Sequence, residues 1–385
     1  MLAVCVDSPG ADPGRLLATV TAVDSRTELK QWQRALLAAA EIISRVRLGV
    51  PVPDDTIEAL EQEQGADGGY CLMPGVTGLA YLAFSRLGDG HPAGRRCLDF
   101  LLRAQRPDGT WRYLSFDIWD TTLMVRSLRG ISAFDTKIRK RALDFIEETQ
   151  SADGGWACKL GLESDNDTTA SAMIALAGTV GSQRGIPFAV DYLRRVQRED
   201  GLWTTWQSAD DVPAPDVVAH IKTALDSHPS TGMDTTRASD WLLSQGHLQG
   251  GWSAHWYPSR AYAVVEIAQA VGWQHEVSRR AARELAAMQR PDGGWPVFRG
   301  ATDSAPAVTG LALSALVRAR IGVPTRVFEN AAAYLVETQT PEGTWPGVPI
   351  MAGPRPFLNH CPQHTHAFVS AGLRDLVLGP AVGDR

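Results

Sequence analysis

Read from its residue pattern, the chain is expected to be all-α, an α/α barrel of about six helical hairpins around a central cavity. A turn of the form Q-x-x-D-G-x-W recurs seven times, two kinds of helical segment alternate between its copies, and strand-like alternation is nearly absent. The copies are Gln64–Tyr70 (QGADGGY), Gln105–Trp111 (QRPDGTW), Gln150–Trp156 (QSADGGW) and Gln197–Trp203 (QREDGLW). A degenerate copy ends in Gln249-Gly250-Gly251-Trp252, and Gln289–Trp295 (QRPDGGW) and Gln339–Trp345 (QTPEGTW) follow. Spacing in the forties of residues, with one hairpin per unit, marks a repeat architecture.

Residues 1–27 hold Pro, Gly and Asp among apolar residues and read as a tail or strap; 28–385 read as one barrel domain with its core at 93–376. A helical pair at 28–48 and 75–88 comes first. Outer segments then alternate with inner ones: 94–105 with 119–131, 136–150 with 167–182, 186–198 with 214–228, 236–245 with 257–272, 276–290 with 305–319, and 326–339 with 361–376. Outer segments such as RALDFIEETQ are amphipathic and half-solvated, whereas inner ones such as TTASAMIALAGTV are apolar enough to be buried all round. Asp/Glu-Gly supplies the tight turn, because glycine accepts positive φ. Each Trp buries a large surface and each Gln offers amide hydrogen bonds, so the motif reads as a structural pin between hairpins.

The net charge of −6 and the lack of a basic stripe argue against a nucleic-acid partner. Five scattered cysteines, an odd number, fit a reducing cytoplasm. No basic stretch precedes the apolar N-terminal residues, so no signal peptide is expected. No apolar run reaches the roughly 18–20 residues of a membrane span. Peripheral membrane contact stays open as a way to collect a lipid-like substrate, and the oligomeric state is not fixed by the sequence.

The chemistry is concentrated in Asp165-Asn166-Asp167-Thr168-Thr169, at the start of the inner segment 167–182. Two carboxylates this close cannot both ionise cheaply, so one can remain protonated as a Brønsted acid. An acid strong enough for an alkene also needs a dry site, a hydrogen bond to its conjugate base and π-faces for the carbocation. Asp before Thr-Thr is equally an ordinary helix N-cap. The five residues alone leave both readings open.

Other segments fall in a fixed order: Ile118-Trp119-Asp120-Thr121, Asp216-Val217-Val218-Ala219-His220, Trp252-x3-Trp256-x5-Tyr262 and Ala305-Pro306-x2-Thr309. With the repeat and Asp165–Thr168, they resemble the class II terpene cyclases, specifically the catalytic domain of squalene–hopene cyclase-like enzymes. That family carries D-x-D-D, V-W-D-T, D-V-T-A-H, W-x3-W-x5-Y and T-P-x-x-T at these places. The resemblance covers 94–376. The repeat alone is shared with protein prenyltransferase β-subunits and other α/α toroids.

The resemblance implies a cyclase started by protonation. Asp167 would be the general acid for a terminal alkene or epoxide, and Asp165 the neighbour that raises its pKa. Thr168 stands where the motif has its last Asp. His220 would hold Asp167 with its acidic proton facing the substrate, and Tyr262 would relay protons back through water. Trp119 and Trp256 would offer π-faces to the cation, and Cys158 stands where the family usually has an aromatic residue. Phe357, His360 and Gln363 align with the segment lining the far end of the pocket, where His360, Gln363 or His364 would take the final proton. Read instead as plain core, His220 is a buried histidine bonded to a carbonyl and the tryptophans are aromatic packing.

Two departures shape the expected substrate. Thr168 removes one charge from the acid cluster, a form that the resemblance associates with bacterial cyclases of shorter prenyl chains. The stretch before Trp119 is too short for the extra helical domain of squalene and diterpene cyclases, so a single-domain cyclase is expected, as for meroterpenoids. The expected substrate is a linear polyprenyl chain on an aromatic head group, closed to fused rings. The alternative is farnesyl or geranylgeranyl diphosphate, giving a drimenyl- or copalyl-type product. No cofactor is expected, with magnesium only in the diphosphate case. Arg112, Lys222, Arg260, Arg299 and Arg355, near rim turns or helix ends, are the candidate anion grips.

Two readings come from other classes. A zinc prenyltransferase-like enzyme needs an Asp-x-Cys pair, but Asp303-Ser304-Ala305 has no cysteine, and Cys361-x2-His364-x-His366 lacks a recognised ligand spacing. A non-catalytic isoprenoid-binding toroid would make the buried Asp-x-Asp and its histidine incidental.

Overall fold

In a computed structural model residues 8, 10–23, 29–88, 90–112, 116–179, 183–206, 212–353 and 358–379 are described, and their regular secondary structure is almost all helix. Their contacts divide them into two compact units, one drawn from 1–116 and 159–163, the other from 117–158, 164–206 and 211–385.

The first unit holds α1 (Pro13–Thr21), α2 (Gln31–Leu48), α3 (Asp54–Gln62), α4 (Pro74–Leu87) and α5 (Pro92–Ala104). Helices α2 and α4 are the expected early pair. α1 lies in the segment read as a tail or strap; the Asp12 side chain caps it by accepting the Arg15 amide at 2.9 Å, and it packs on α2. Ile42, Ile43, Leu60, Tyr70, Phe84 and Cys97 form a common buried core. Helix α5, expected as the first outer barrel segment, packs here on α4.

In the second unit the inner segments are α6 (Asp117–Leu128), α9 (Asn166–Leu176), α11 (Pro215–Asp226), α13 (Arg260–Val271), α15 (Pro306–Ala319) and α17 (Pro362–Leu378). Each packs on the next and α17 packs back on α6, so six helices close a ring. The outer segments are α7 (Ser132–Lys137) with α8 (Arg139–Glu148), α10 (Ile186–Arg195), α12 (Thr236–Gln245), α14 (Glu276–Ala286) and α16 (Thr325–Glu337). Polarity decides the layer. Helix α9 buries every residue but Ile174, whereas α14 buries only the stripe Val277, Ser278, Ala281, Ala282 and Leu285. Helix α9 stops short of the expected 182; Ala177 ends it and Gly178 follows at φ 69°. A two-residue antiparallel pair, β1 (Met351–Ala352) with β2 (Leu358–Asn359), precedes α17.

The recurring motif works in two ways: its Trp bonds within its own hairpin, where a pin between hairpins was expected, and its Gln can reach the next. The indole N–H of Trp111, Trp156, Trp203, Trp252, Trp295 and Trp345 each donates to the carbonyl ten residues earlier, at 2.6–2.9 Å. Tyr70 does the same with its hydroxyl, to Leu60 at 2.8 Å. The Gln150 amide spans two hairpins, donating to the carbonyls of Gly154 and Gly185 at 2.8 Å. Gly154 sits at φ +92°, and a Cβ there would fall 2.5 Å from the Phe188 carbonyl oxygen, so both torsion and space demand glycine. Among the described residues no helix is long and apolar enough to cross a membrane.

Candidate active site

The site grows from the start of α9. Asp165 is its N-cap: Oδ1 accepts the Thr168 amide at 2.7 Å, and Oδ2 accepts the Thr168 hydroxyl at 2.9 Å and the Cys158 amide at 3.0 Å. The capping reading therefore holds for Asp165. Asp167 does something else. Its Oδ1 lies 2.6 Å from His220 Nδ1 on α11, and both side chains are buried.

His220 is held at both ring nitrogens. Nε2 lies 3.0 Å from Glu266 Oε2 on α13, and that same oxygen accepts Arg126 from α6 at 2.7 Å. The Tyr262 hydroxyl, one helical turn before Glu266, is 3.5 Å from His220 Nε2. Four ring helices thus meet in one chain of charges, Asp167–His220–Glu266–Arg126. Burial opposes charge on His220, but the carboxylates of Asp167 and Glu266 overcome it and raise its pKa well above the ordinary imidazole value. Burial likewise opposes charge on Glu266, yet Arg126 and His220 hold it well below the usual carboxylate range. Asp216, four residues before His220, is fully buried and accepts the amides of His255 at 2.9 Å and Trp256 at 3.0 Å. Burial and the nearby Asp167 push it up to about 7 despite those bonds. Burial keeps the Tyr262 hydroxyl protonated far above its usual range, with Glu266 adding to the effect.

A second chain runs alongside. Trp119 Nε1 donates to the Tyr257 hydroxyl at 3.1 Å, which lies 3.0 Å from His364 Nδ1; His364 Nε2 is 2.8 Å from Asp120 Oδ1. Tyr257 stacks on Tyr262 with centroids 4.1 Å apart, Phe368 stands edge-on to both, and the Trp119 ring is 5.9 Å from that of His220. The Cys158 carbonyl accepts the Trp119 amide at 3.2 Å, placing the half-buried Cys158 between Trp119 and Asp165. Trp256 is half-buried, donates to the Thr205 hydroxyl at 3.2 Å and meets Trp206 edge-on at 5.4 Å. Beside its loop, Pro213, Pro215, Ser253, His255, Pro258 and Ala352 line an open cleft of about 310 Å³.

His360 and Gln363 are exposed, while His364, named beside them as a proton acceptor, is buried against Asp120 and Tyr257. Phe357 and Arg355 lie outside the described residues. Lys222 is paired with Asp226 at 2.5 Å, Arg260 with Glu284, and Arg299 is exposed. Among the described residues no group of three or more His, Cys, Asp or Glu gathers to hold a metal; His366 Nδ1 is instead 2.6 Å from the Pro362 carbonyl.

Sequence reasoning passes over Glu266 and Arg126, although a signal was present. Each interrupts an apolar helical run, AYAVVEIAQAV and TTLMVRSL, and a buried helix carries such a charge only when it is paired. Tyr257 was hidden inside the W-x3-W-x5-Y spacing.

The model of the squalene–hopene cyclase C-terminal domain family matches residues 74–210 and 206–368. The chain belongs to that family. Drimenyl diphosphate synthase of Streptomyces showdoensis is 28% identical over 344 residues, 86% of this chain and 56% of that protein. Squalene–hopene cyclase of Bradyrhizobium diazoefficiens is 24% identical over 356 residues, 76% of this chain and 54% of that protein. The chain thus spans a little over half the length of these relatives. Among solved structures, ent-copalyl diphosphate synthase from Streptomyces platensis superposes with a TM-score of 0.65 at 23% identity, over 89% of this chain and 68% of that one. A single-substitution variant of the type II terpene cyclase MstE from Scytonema, in complex with geranylgeranyl dihydroxybenzoate, gives 0.55 at 18% identity, over 72% of this chain and 94% of that one. At these identities the likeness establishes the fold alone, an all-α toroid.

Proposed function

We propose that this chain is a class II terpene cyclase in which Asp167 starts ring closure by protonating a terminal alkene or epoxide of a linear polyprenyl substrate. The observation that carries this reading is the buried Asp167–His220 bond of 2.6 Å. With His220 Nδ1–H donating to Oδ1, the other carboxyl oxygen is the one left to carry the acidic proton. As that proton leaves, a charge-assisted hydrogen bond already meets the charge that develops. The proton forms a C–H bond at a terminal alkene, or an O–H bond on an epoxide oxygen as its C–O bond breaks, and the resulting cation is attacked by successive alkene π-pairs. Loss of a proton or capture of water ends the sequence. The rings of Trp119 and Tyr262, beside His220, supply π-faces.

The head group separates two readings. An aromatic head group is the one expected from the family resemblance. A diphosphate is favoured by the named relatives: two drimenyl diphosphate synthases at 28% identity and a labda-7,13-dienyl diphosphate synthase at 26%, covering 70–86% of this chain. Identity in sequence bears on chemistry where likeness in shape does not, so the diphosphate is the better-supported head group. Magnesium would then accompany the diphosphate.

The test is a product screen. Purified protein would receive farnesyl and geranylgeranyl diphosphate, and farnesylated and geranylgeranylated hydroxybenzoates, each with and without magnesium. One class should give a cyclised isomer of unchanged mass and shifted retention, or its hydrate where water ends the sequence, with Asp167→Asn losing about a thousandfold in rate. No cyclised isomer or hydrate from any substrate, or full activity in Asp167→Asn, would overturn the reading.

A further inference from the structure

Resting on that reading and deepening it, we propose that Glu266 and Arg126 are positioning residues. They fix His220 as a cation bonded at both nitrogens, and so decide which oxygen of Asp167 carries the acidic proton.

Carboxylate oxygens face both ring nitrogens, Asp167 Oδ1 at 2.6 Å and Glu266 Oε2 at 3.0 Å. A neutral imidazole has one donor nitrogen, whereas an imidazolium has two. With Nε2–H given to Glu266, the outcome turns on the proton between Nδ1 and Asp167 Oδ1. On the ring, it leaves the other oxygen of Asp167 to take and deliver the reactive proton. On Oδ1, it would point the acid into the protein, where no substrate can reach it. The negative charge of Glu266 holds the proton on the ring, and Arg126, 2.7 Å from the same oxygen, keeps Glu266 from taking a proton itself.

Charge counting supports the arrangement. While Asp167 is protonated, Arg126, Glu266 and His220 carry one net positive charge, and donation of the proton brings the four groups to neutrality. The donor is thus prepared for the charge it will hold.

The other charged groups around His220 do not replace this pair. On its own helix, Asp216 is bound to two backbone amides and Lys222 is paired with Asp226. Helix α13 adds the Tyr262 hydroxyl and α9 adds only Asp167; the charged residues of α12, Arg237 and Asp240, are exposed. The pKa of His220 is raised by Asp167 first and by Glu266 next, in line with the two contacts.

The test compares wild type, Glu266→Gln and the double variant Arg126→Met/Glu266→Gln. The double variant leaves no unpaired buried charge, so it keeps the test available if the single variant does not fold. In both variants the alkaline limb of kcat/KM should move to lower pH, with about a tenfold or greater loss near pH 8 that recovers toward acid. Histidine-selective 15N NMR should find His220 cationic near pH 8 in the wild type and neutral in the double variant. Equal loss at every pH, or a His220 that stays cationic without Glu266, would overturn the proposal. A wild type that cyclises nothing defeats the functional reading instead, and the NMR titration still decides the state of His220.

Discussion

Two helix starts in the ring are built on the same frame and differ at four positions. Before α9, the Trp156 amide donates to the Thr169 hydroxyl at 2.9 Å, and the Ser164 hydroxyl donates to Asp153 at 2.8 Å. Before α15, Trp295 donates to Thr309 at 3.0 Å, and Ser304 to Asp292 at 2.9 Å. An antiparallel bridge in the same register, Trp156 with Asp165 and Pro296 with Ser304, ties the limbs of each turn. Aligned on these bonds, Ser164-Asp165-Asn166-Asp167-Thr168-Thr169 lies over Ser304-Ala305-Pro306-Ala307-Val308-Thr309. The second start has no side-chain cap and uses proline in its first turn. The frame therefore forms without a carboxylate at either position. Capping accounts for Asp165, but nothing in the frame accounts for Asp167, which turns to His220 on another helix.

The largest effect is expected where the starts differ for no structural reason. Asp167→Ala copies Ala307 and should reduce turnover by about a thousandfold, while the helix signal in circular dichroism stays at the wild-type level. An Asp167→Ala protein that turns over normally would show that the difference between the two starts carries no chemistry.

Asp165 comes next. Asp165→Ala removes the cap and should lower stability by about 1–2 kcal/mol in urea unfolding. The proline used at the other start is no remedy here, because the Asn166 amide donates to Thr205 at 3.0 Å and its side chain to Thr204 at 2.7 Å. Ala305→Asp should change stability by less than half as much, since its helix already starts without a cap. A larger effect at Ala305 than at Asp165 would mean that the two frames bear different loads.

The frame was legible in the sequence and the charge chain was not. Each Trp finds its acceptor ten residues back within its own repeat, so the recurrence marks the bond although a tie between hairpins was expected. The layers of α9 and α14 were legible because burial follows polarity along a single helix. Arg126 and Glu266 lie 140 positions apart, and Asp120 and His364 are separated by 244, so no local spacing joins either pair. Only closure of α17 and α13 around α6 brings them together. The meeting of Asp167 with His220 was expected only through resemblance to a family. Helix α1 had its signal, Asp12 followed by Pro13, within a segment whose composition reads as a tail.

The smallest effect tests whether frame and acid are separable. Thr169 and Thr309 each accept a buried Trp amide and donate to the carbonyl four residues back, at 2.7 Å to Asp165 and 2.9 Å to Ala305. Replacement by valine keeps the shape and strands the amide, which should lower stability by about 1–2 kcal/mol at either site. The two losses should agree within about 0.5 kcal/mol, and Thr169→Val should keep turnover within a few-fold of wild type. Matching losses with activity retained would mean the repeat supplies only the helix start, with the acidity supplied across the ring by His220. A Thr169→Val protein as stable as Thr309→Val but inactive would instead tie the orientation of Asp167 to the threonine that orders its turn.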